Sequence, residues 1–280
     1  MKPLFFGKTG HQLFGVFHPP VAQQGKRPPC SEAILLCYPG VQEYNGNHWA
    51  FRRIASHLSR LGCPVLRFDY FGTGDSMGQL SEAGLPVWVD DVRQAARELT
   101  DMTGNPRLSI LGMRLGASLA YLACRDGLSA MNLIMWEPVI SGRDYIRELQ
   151  RRDRLKRLIF LHSALLRRNS IRGANELFGY KWPSDINDAI ESMNLLKIPA
   201  PSVKQMSVVT SWKNRNIEDF RDVISSQNVT AAVSEVNTPD KVSLDTIAMR
   251  ETNVLPNEIL NTFVRILSGD KTPHGTATTA

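Results

Sequence analysis

The chain lacks the features that would place it outside ordinary globular proteins. Its four cysteines, Cys30, Cys37, Cys63 and Cys124, form no CxxC pair and no metal spacing, which argues against a zinc module or a disulfide framework. Cys37 and Cys124 lie in apolar runs and read as buried free thiols of a reducing compartment. No stretch approaches the ~18 apolar residues of a membrane span. The opening "MKPLFFGKTGHQLFGVFHPP" has neither a long apolar core nor a small-residue cleavage site. These absences lead to the expectation of a soluble, cytoplasmic protein. Internal repeats and low-complexity blocks are also missing. "FGTGDS" lacks both the GK[ST] ending and the GxGxxG spacing of a phosphate loop. It reads instead as a sharp turn, allowed by Gly72 and Gly74, in which Asp75 caps backbone N–H groups. No cofactor and no metal are expected, and no nucleic-acid-binding motif or aromatic-interleaved basic stretch occurs.

What is present supports one large domain or one domain with an insert. The chain has 280 residues, 42% hydrophobic and 21% charged, enough for a sizeable core. The formal charge of +6 is uneven: residues 143–181 hold 11 Lys/Arg and 4 Asp/Glu, a net of +7, leaving −1 for the rest. A basic segment on a near-neutral body suits an anionic partner, or is a solvated helical face.

The pattern along the chain is α/β. "PLFFGKTGHQLFGVF" reads as a β-hairpin around Gly7–Gly10. "EAILLCYPG", "CPVLRFDY", "RLSILG" and "MNLIMWEPV" read as strands. Between them, "NHWAFRRIASHLSRLG", "GLPVWVDDVRQAARELTDM" (opened by Pro86) and "RLGASLAYLACRDG" read as helices. Alternation of this kind implies a mostly parallel sheet with helices on both faces. It breaks at about 142–198, which is mainly helical, basic and without a clear strand. It returns with "QMSVVTSW", "NIEDFRDVISSQ", "VTAAVSEV" and "PNEILNTFVRILS". The expected organisation is a core of 1–141 and 199–268, a helical cap of 142–198 and a disordered tail of 269–280.

The strings "CYPGVQEYNGNHWAFRRIA", "LRFDYFGTGDS", "LGMRLGA" and "MWEPVISGRDYIREL" resemble the α/β-hydrolase superfamily. The closer resemblance is to serine-aminopeptidase-like hydrolases, and among them to bacterial hydrolase-like proteins encoded beside carrier-protein, natural-product and exopolysaccharide genes. The resemblance covers most of the chain. It implies the α/β-hydrolase fold, with an N-terminal hairpin and an inserted helical cap, and a site at the strand–turn–helix elbow.

Covalent hydrolysis on this fold needs a nucleophile, an acid and a histidine in that chain order. The elbow is Gly112-Met113-Arg114-Leu115-Gly116, so both glycines stand where G-x-S-x-G has them, but the serine position holds Arg114. A guanidinium has no lone pair free to attack and stays charged at neutral pH. Ser109 lies in the strand, and Ser118 lies a turn into the helix. The only histidine beyond His162 is His274, in the tail. Asn257 falls near where related proteins carry histidine. Glu218 and Asp219 are available as acids but fit a solvated helix face. His48 and His57 fit a surface helix. Serine-triad catalysis therefore fails on residue type.

The elbow opens a helix, whose free N–H groups favour an anion, and Arg114 adds a full positive charge. The backbone N–H of Leu115 and one in Gly40–Val41 correspond to an oxyanion hole. With Met113 and Arg114, and with Glu43 and Asp69 as internal carboxylate partners for the arginine, they form the candidate binding site. A buried arginine needs such a partner. Three readings follow. The first is an α/β-hydrolase-like protein without the elbow serine, binding an acyl, thioester or other anionic molecule, or an acidic carrier protein bearing one. The second is an esterase, thioesterase or acyltransferase with Arg114 as electrophile and Cys37 or water as nucleophile. The third is a structural partner with a closed pocket. The basic cap could also lie on a membrane surface.

Overall fold

The computed structural model describes residues 1–21, 31–164, 176–177, 180–211, 215–227, 231–236 and 255–269. The polar loop around residues 22–30 and the tail beyond 269 lie outside the described residues. Among those described, no helix is long and apolar enough to cross a membrane.

β1 (Lys2–Lys8) and β2 (His11–His18) form the expected antiparallel hairpin, with Lys8 opposite His11 and Gly10 at φ 82° in the turn. β3 (Ala33–Cys37), β4 (Val65–Phe68) and β5 (Leu108–Met113) are buried along their whole length. This is why, apart from Arg67 and Ser109, they read as apolar runs rather than alternating ones. With β6 (Ala130–Trp136), β9 (Val203–Thr210) and β10 (Ala231–Glu235) they complete an eight-stranded sheet of order β1-β2-β4-β3-β5-β6-β9-β10. All pairs from β4 to β10 are parallel.

α1 (Val41–Arg60) follows β3, α2 (Leu85–Thr103) follows β4 and α3 (Leu115–Arg125) follows β5. α1 starts six residues before the apolar periodicity announces it, directly after Pro39-Gly40. α2 packs on α3, and Tyr121 of α3 meets Phe220 of α6 (Arg215–Ser226) at 5.7 Å between ring centroids. On the other face, α1 is joined to α7 (Asn257–Ser268), and Phe263 of α7 packs edge-on against Trp136. Helices thus cover both faces, as the expected fold requires. Each fully buried core Leu or Ile contributes about 1.5–3 kcal/mol.

Between β6 and β9 the chain runs through α4 (Gly142–Ala164), β7 (Glu176–Leu177), β8 (Tyr180–Lys181) and α5 (Ser184–Ser192). β7 and β8 pair in a two-residue antiparallel ladder. The segment is thus not wholly without strand, as its sequence suggests. Strands so short carry no readable alternation. α4 alternates buried Tyr145, Ile146, Leu149 and Asp153 with exposed Arg143, Arg147, Arg151 and Arg154. Its buried face lies over the end of β5.

Candidate functional site

The site is built where β5 ends and α3 begins. Arg114 turns the chain at φ 52°, ψ −123°, a conformation that costs a non-glycine residue about 1–3 kcal/mol. Its surroundings enforce the turn. The Arg114 N–H donates to the Trp136 carbonyl at 2.9 Å, which ties the elbow to the end of β6. The two glycines permit close backbone approach. A Cβ on Gly116 would stand 1.9 Å from the Tyr38 carbonyl oxygen, and one on Gly112 would stand 2.6 Å from the Ala117 Cα. A tight strand–turn–helix elbow framed by two glycines therefore stands here, with the Arg114 guanidinium at its apex.

That guanidinium is buried, with 6% of the residue exposed. Its Nε donates to Glu43 Oε1 at 3.1 Å and an Nη donates to Glu148 Oε2 at 2.8 Å. The Tyr145 ring lies 5.3 Å from its Cζ, a cation–π distance. The Tyr145 hydroxyl donates to Glu43 Oε2 at 2.9 Å and accepts from Gln42 Nε2 at 3.0 Å. Arg152 closes the network at 2.6 Å from Glu148 Oε1. Burial alone would weaken the charge on Arg114, but Glu43 and Glu148 outweigh it and hold the cation more firmly than usual. Burial and the neighbouring Glu43 charge push Tyr145 well above the usual phenol range, so it remains a proton donor.

Of the residues the sequence nominated, Glu43 pairs with Arg114 as expected. Asp69 does not. Its Oδ2 accepts the Asp75 N–H at 3.0 Å, and it holds a hydrogen bond with the Tyr44 side chain. The turn after β4 consumes this carboxylate, and Asp75 is the capped residue rather than the cap. Gly72 and Gly74 do sit at positive φ. Val41 and Leu115 are the first residues of α1 and α3, so their N–H groups have no intrahelical acceptor. Gly40 lies between them: a Cβ there would stand 2.7 Å from the Tyr145 hydroxyl and 3.5 Å from Leu115. Met113 is buried as the last residue of β5. A cleft bounded by Gly40, Tyr44, Asp69, Trp88 and Leu115 has a volume of ≈ 10 Å³, about one water molecule.

The alternative nucleophiles fail on environment. Cys37 is fully buried within β3, and burial drives its thiol far above the range of a reactive thiolate. Ser109 accepts from Asn132 at 2.9 Å inside the sheet, and Ser118 donates to the Val139 carbonyl at 2.7 Å. Asn257 accepts from Arg53 on an exposed face at 3.2 Å. Glu218 and Asp219 are exposed on α6. His48 is less peripheral than its helix suggests, with Nδ1 3.2 Å from the Tyr44 hydroxyl and its ring stacked near Tyr38.

Two acidic residues escaped sequence reasoning. Glu148 shares a helical face with Tyr145 and Arg152 (spacing i, i+3, i+7), a pattern hidden in a segment dominated by its cations. Glu137, at the end of β6, is, among the described residues, the other non-glycine residue at positive φ, 47°. Its Oε1 accepts from Ser211 Oγ at 2.7 Å and from the Ser211 N–H, and its Oε2 accepts from Thr210 at 3.3 Å. Burial raises its pKa, opposed by the Ser211 and Thr210 donors and by the Arg114 charge.

No family model and no curated protein sequence matches the chain. Solved structures do. An esterase of Pyrococcus furiosus superposes with TM-score 0.62 at 13% identity, covering 96% of this chain and 90% of its own. A proline iminopeptidase of Mycobacterium smegmatis gives 0.59 at 15% identity, covering 96% and 98%. Mouse alpha/beta hydrolase domain-containing protein 10 gives 0.53 at 18%, covering 94% and 100%. At these identities the likeness establishes the fold: the chain has the α/β-hydrolase fold.

Proposed function

We propose that this chain is an α/β-hydrolase-fold protein that binds rather than turns over, serving a biosynthetic pathway as an accessory or sensing component in the cytoplasm. One observation carries the reading: the apex of the elbow holds Arg114, whose side chain is ion-paired inside the protein. Removing a nucleophile leaves only what binding and oxyanion stabilisation supply. Beyond β10 the sequence holds one histidine, His274, in the tail, and none among the described residues there. The ligand is an acyl, thioester or other anionic small molecule, free or on an acidic carrier protein. The exposed arginines of α4 supply attraction for an acidic partner; an anionic membrane surface is the other target they suit.

A fluorophosphonate probe tests the first half. Neither the wild type nor Arg114→Ser is expected to label, because no described residue after β10 is a histidine that could take a restored hydroxyl's proton. Labelling of the wild type, or ester turnover that Arg114→Ala abolishes, would restore the enzyme reading. Thermal shift with acyl-phosphopantetheine and fatty acids tests the second half, with stabilisation expected. A second reading, a structural partner with a closed pocket, is favoured by the cleft of ≈ 10 Å³. It gains if no such ligand moves the melting temperature.

A further inference from the structure

The geometry points to a carboxylate seat formed by Arg114 and Arg152, which Glu148 occupies from within the chain. This deepens the binding reading above and rests on it. The two carboxylates at the elbow are not equivalent. Glu43 belongs to α1, its side chain is 9% exposed, and it is fixed by both Arg114 and Tyr145. Glu148 belongs to α4 and is 26% exposed. Each of its oxygens meets a different guanidinium: Oε2 lies 2.8 Å from Arg114 and Oε1 lies 2.6 Å from Arg152. A planar carboxylate bridging two forks is the recognition geometry of a free carboxylate ligand.

Glu148 can leave without dismantling the seat. Arg114 is anchored by the elbow and by Glu43. Arg152, four residues along the same helix, retains Glu43 Oε1 at 3.9 Å. Rotation of the Glu148 side chain toward solvent exposes two fixed cations, and a ligand carboxylate then takes its two bonds. The seat adjoins the N-terminus of α3, whose first N–H groups add to its positive character. Nearby, Gln42 Oε1 is buried without a hydrogen-bond partner although its Nε2 serves Tyr145. The closed state thus leaves an acceptor open that a ligand hydroxyl or N–H can fill.

The test is chemical rescue. Glu148→Ala should melt several degrees below the wild type in chloride. Sodium acetate, at matched ionic strength and neutral pH, should restore at least half of the loss in a saturable way. It should shift the wild type far less, because the tethered carboxylate outcompetes it. Adding Arg152→Met to Glu148→Ala should abolish the acetate effect. If Glu148→Ala does not fold, Glu148→Gln replaces it, and broadening of the ¹³C-acetate resonance reads binding directly. Rescue by inorganic phosphate and not by acetate would reassign the seat to phosphate-class anions and overturn the carboxylate claim. Equal response to acetate and chloride would overturn the seat itself. Fluorophosphonate silence does not depend on this result, so failure of the seat leaves the non-hydrolytic reading separately testable.

Discussion

Arg114 and Glu137 stand one residue beyond the same rung of the central sheet, where Met113 pairs with Trp136. Both are ionisable, both are buried and both hold positive φ. They differ in what satisfies them. Arg114 is neutralised by carboxylates reaching from α1 and α4, so its environment is ionic and ties those two helices to the elbow. Glu137 is held by neutral donors at the end of β9 and the residue after it, wholly within the core. The contrast teaches that the sheet dictates backbone conformation at its edge without dictating chemistry. The same strained ladder end presents a cation in one place and an acid in the other.

The comparison breaks most completely if the shared frame is removed. Gly116→Val drives a side chain into the Tyr38 carbonyl. It should cost more than about 4 kcal/mol, seen as loss of the cooperative urea transition. The next effect distinguishes the two residues. Arg114→Ala strands Glu43 and Glu148 at the seam and should lower stability by about 3–5 kcal/mol. Arg114→Lys should recover only part of this, since a single ammonium cannot reproduce the fork. Glu137→Gln keeps an acceptor for Ser211 and should cost about 1 kcal/mol or less at neutral pH.

The smallest effect is a pH signature. Glu137 holds its proton more tightly folded than unfolded, because burial disfavours its charge. The stability this contributes is fully present below the unfolded value of about 4.5 and is lost as pH rises through the folded one. Stability of the wild type relative to Glu137→Gln should therefore fall as pH rises from about 4.5. Arg114→Ala should show no such slope arising from residue 114 itself, since its guanidinium does not titrate there.

Most of the architecture was readable from the residues. The strands from β3 to β6 are almost wholly buried and so announce themselves as runs dominated by apolar residues, broken only by Arg67, Ser109 and Asn132. Gly112 and Gly116 disclosed the elbow because only glycine tolerates the approach of α3 to the β3 turn. The start of α1 was not readable, because Pro39-Gly40 punctuates like a loop and the apolar spacing begins later. Glu43 was within reach as a partner for Arg114 because it follows the strand beside the elbow. Asp69 was an equally reasonable candidate until the turn after β4 used it. Glu148 depended on how α4 lies over the core, a tertiary fact. Glu137 gave no signal, because a carboxylate at positive φ has no periodicity to betray it.

The bond from the Arg114 amide to the Trp136 carbonyl has a last consequence. Because the neighbouring strand holds the apex from the backbone, any residue placed at position 114 inherits the same launch direction. Chemistry at this position can then be changed in small steps. A hydroxyl at 114, an imidazole brought beside it and displacement of α4 would add the parts of a hydrolytic site to a frame already in place, which makes this protein a natural starting point for building a hydrolase by design.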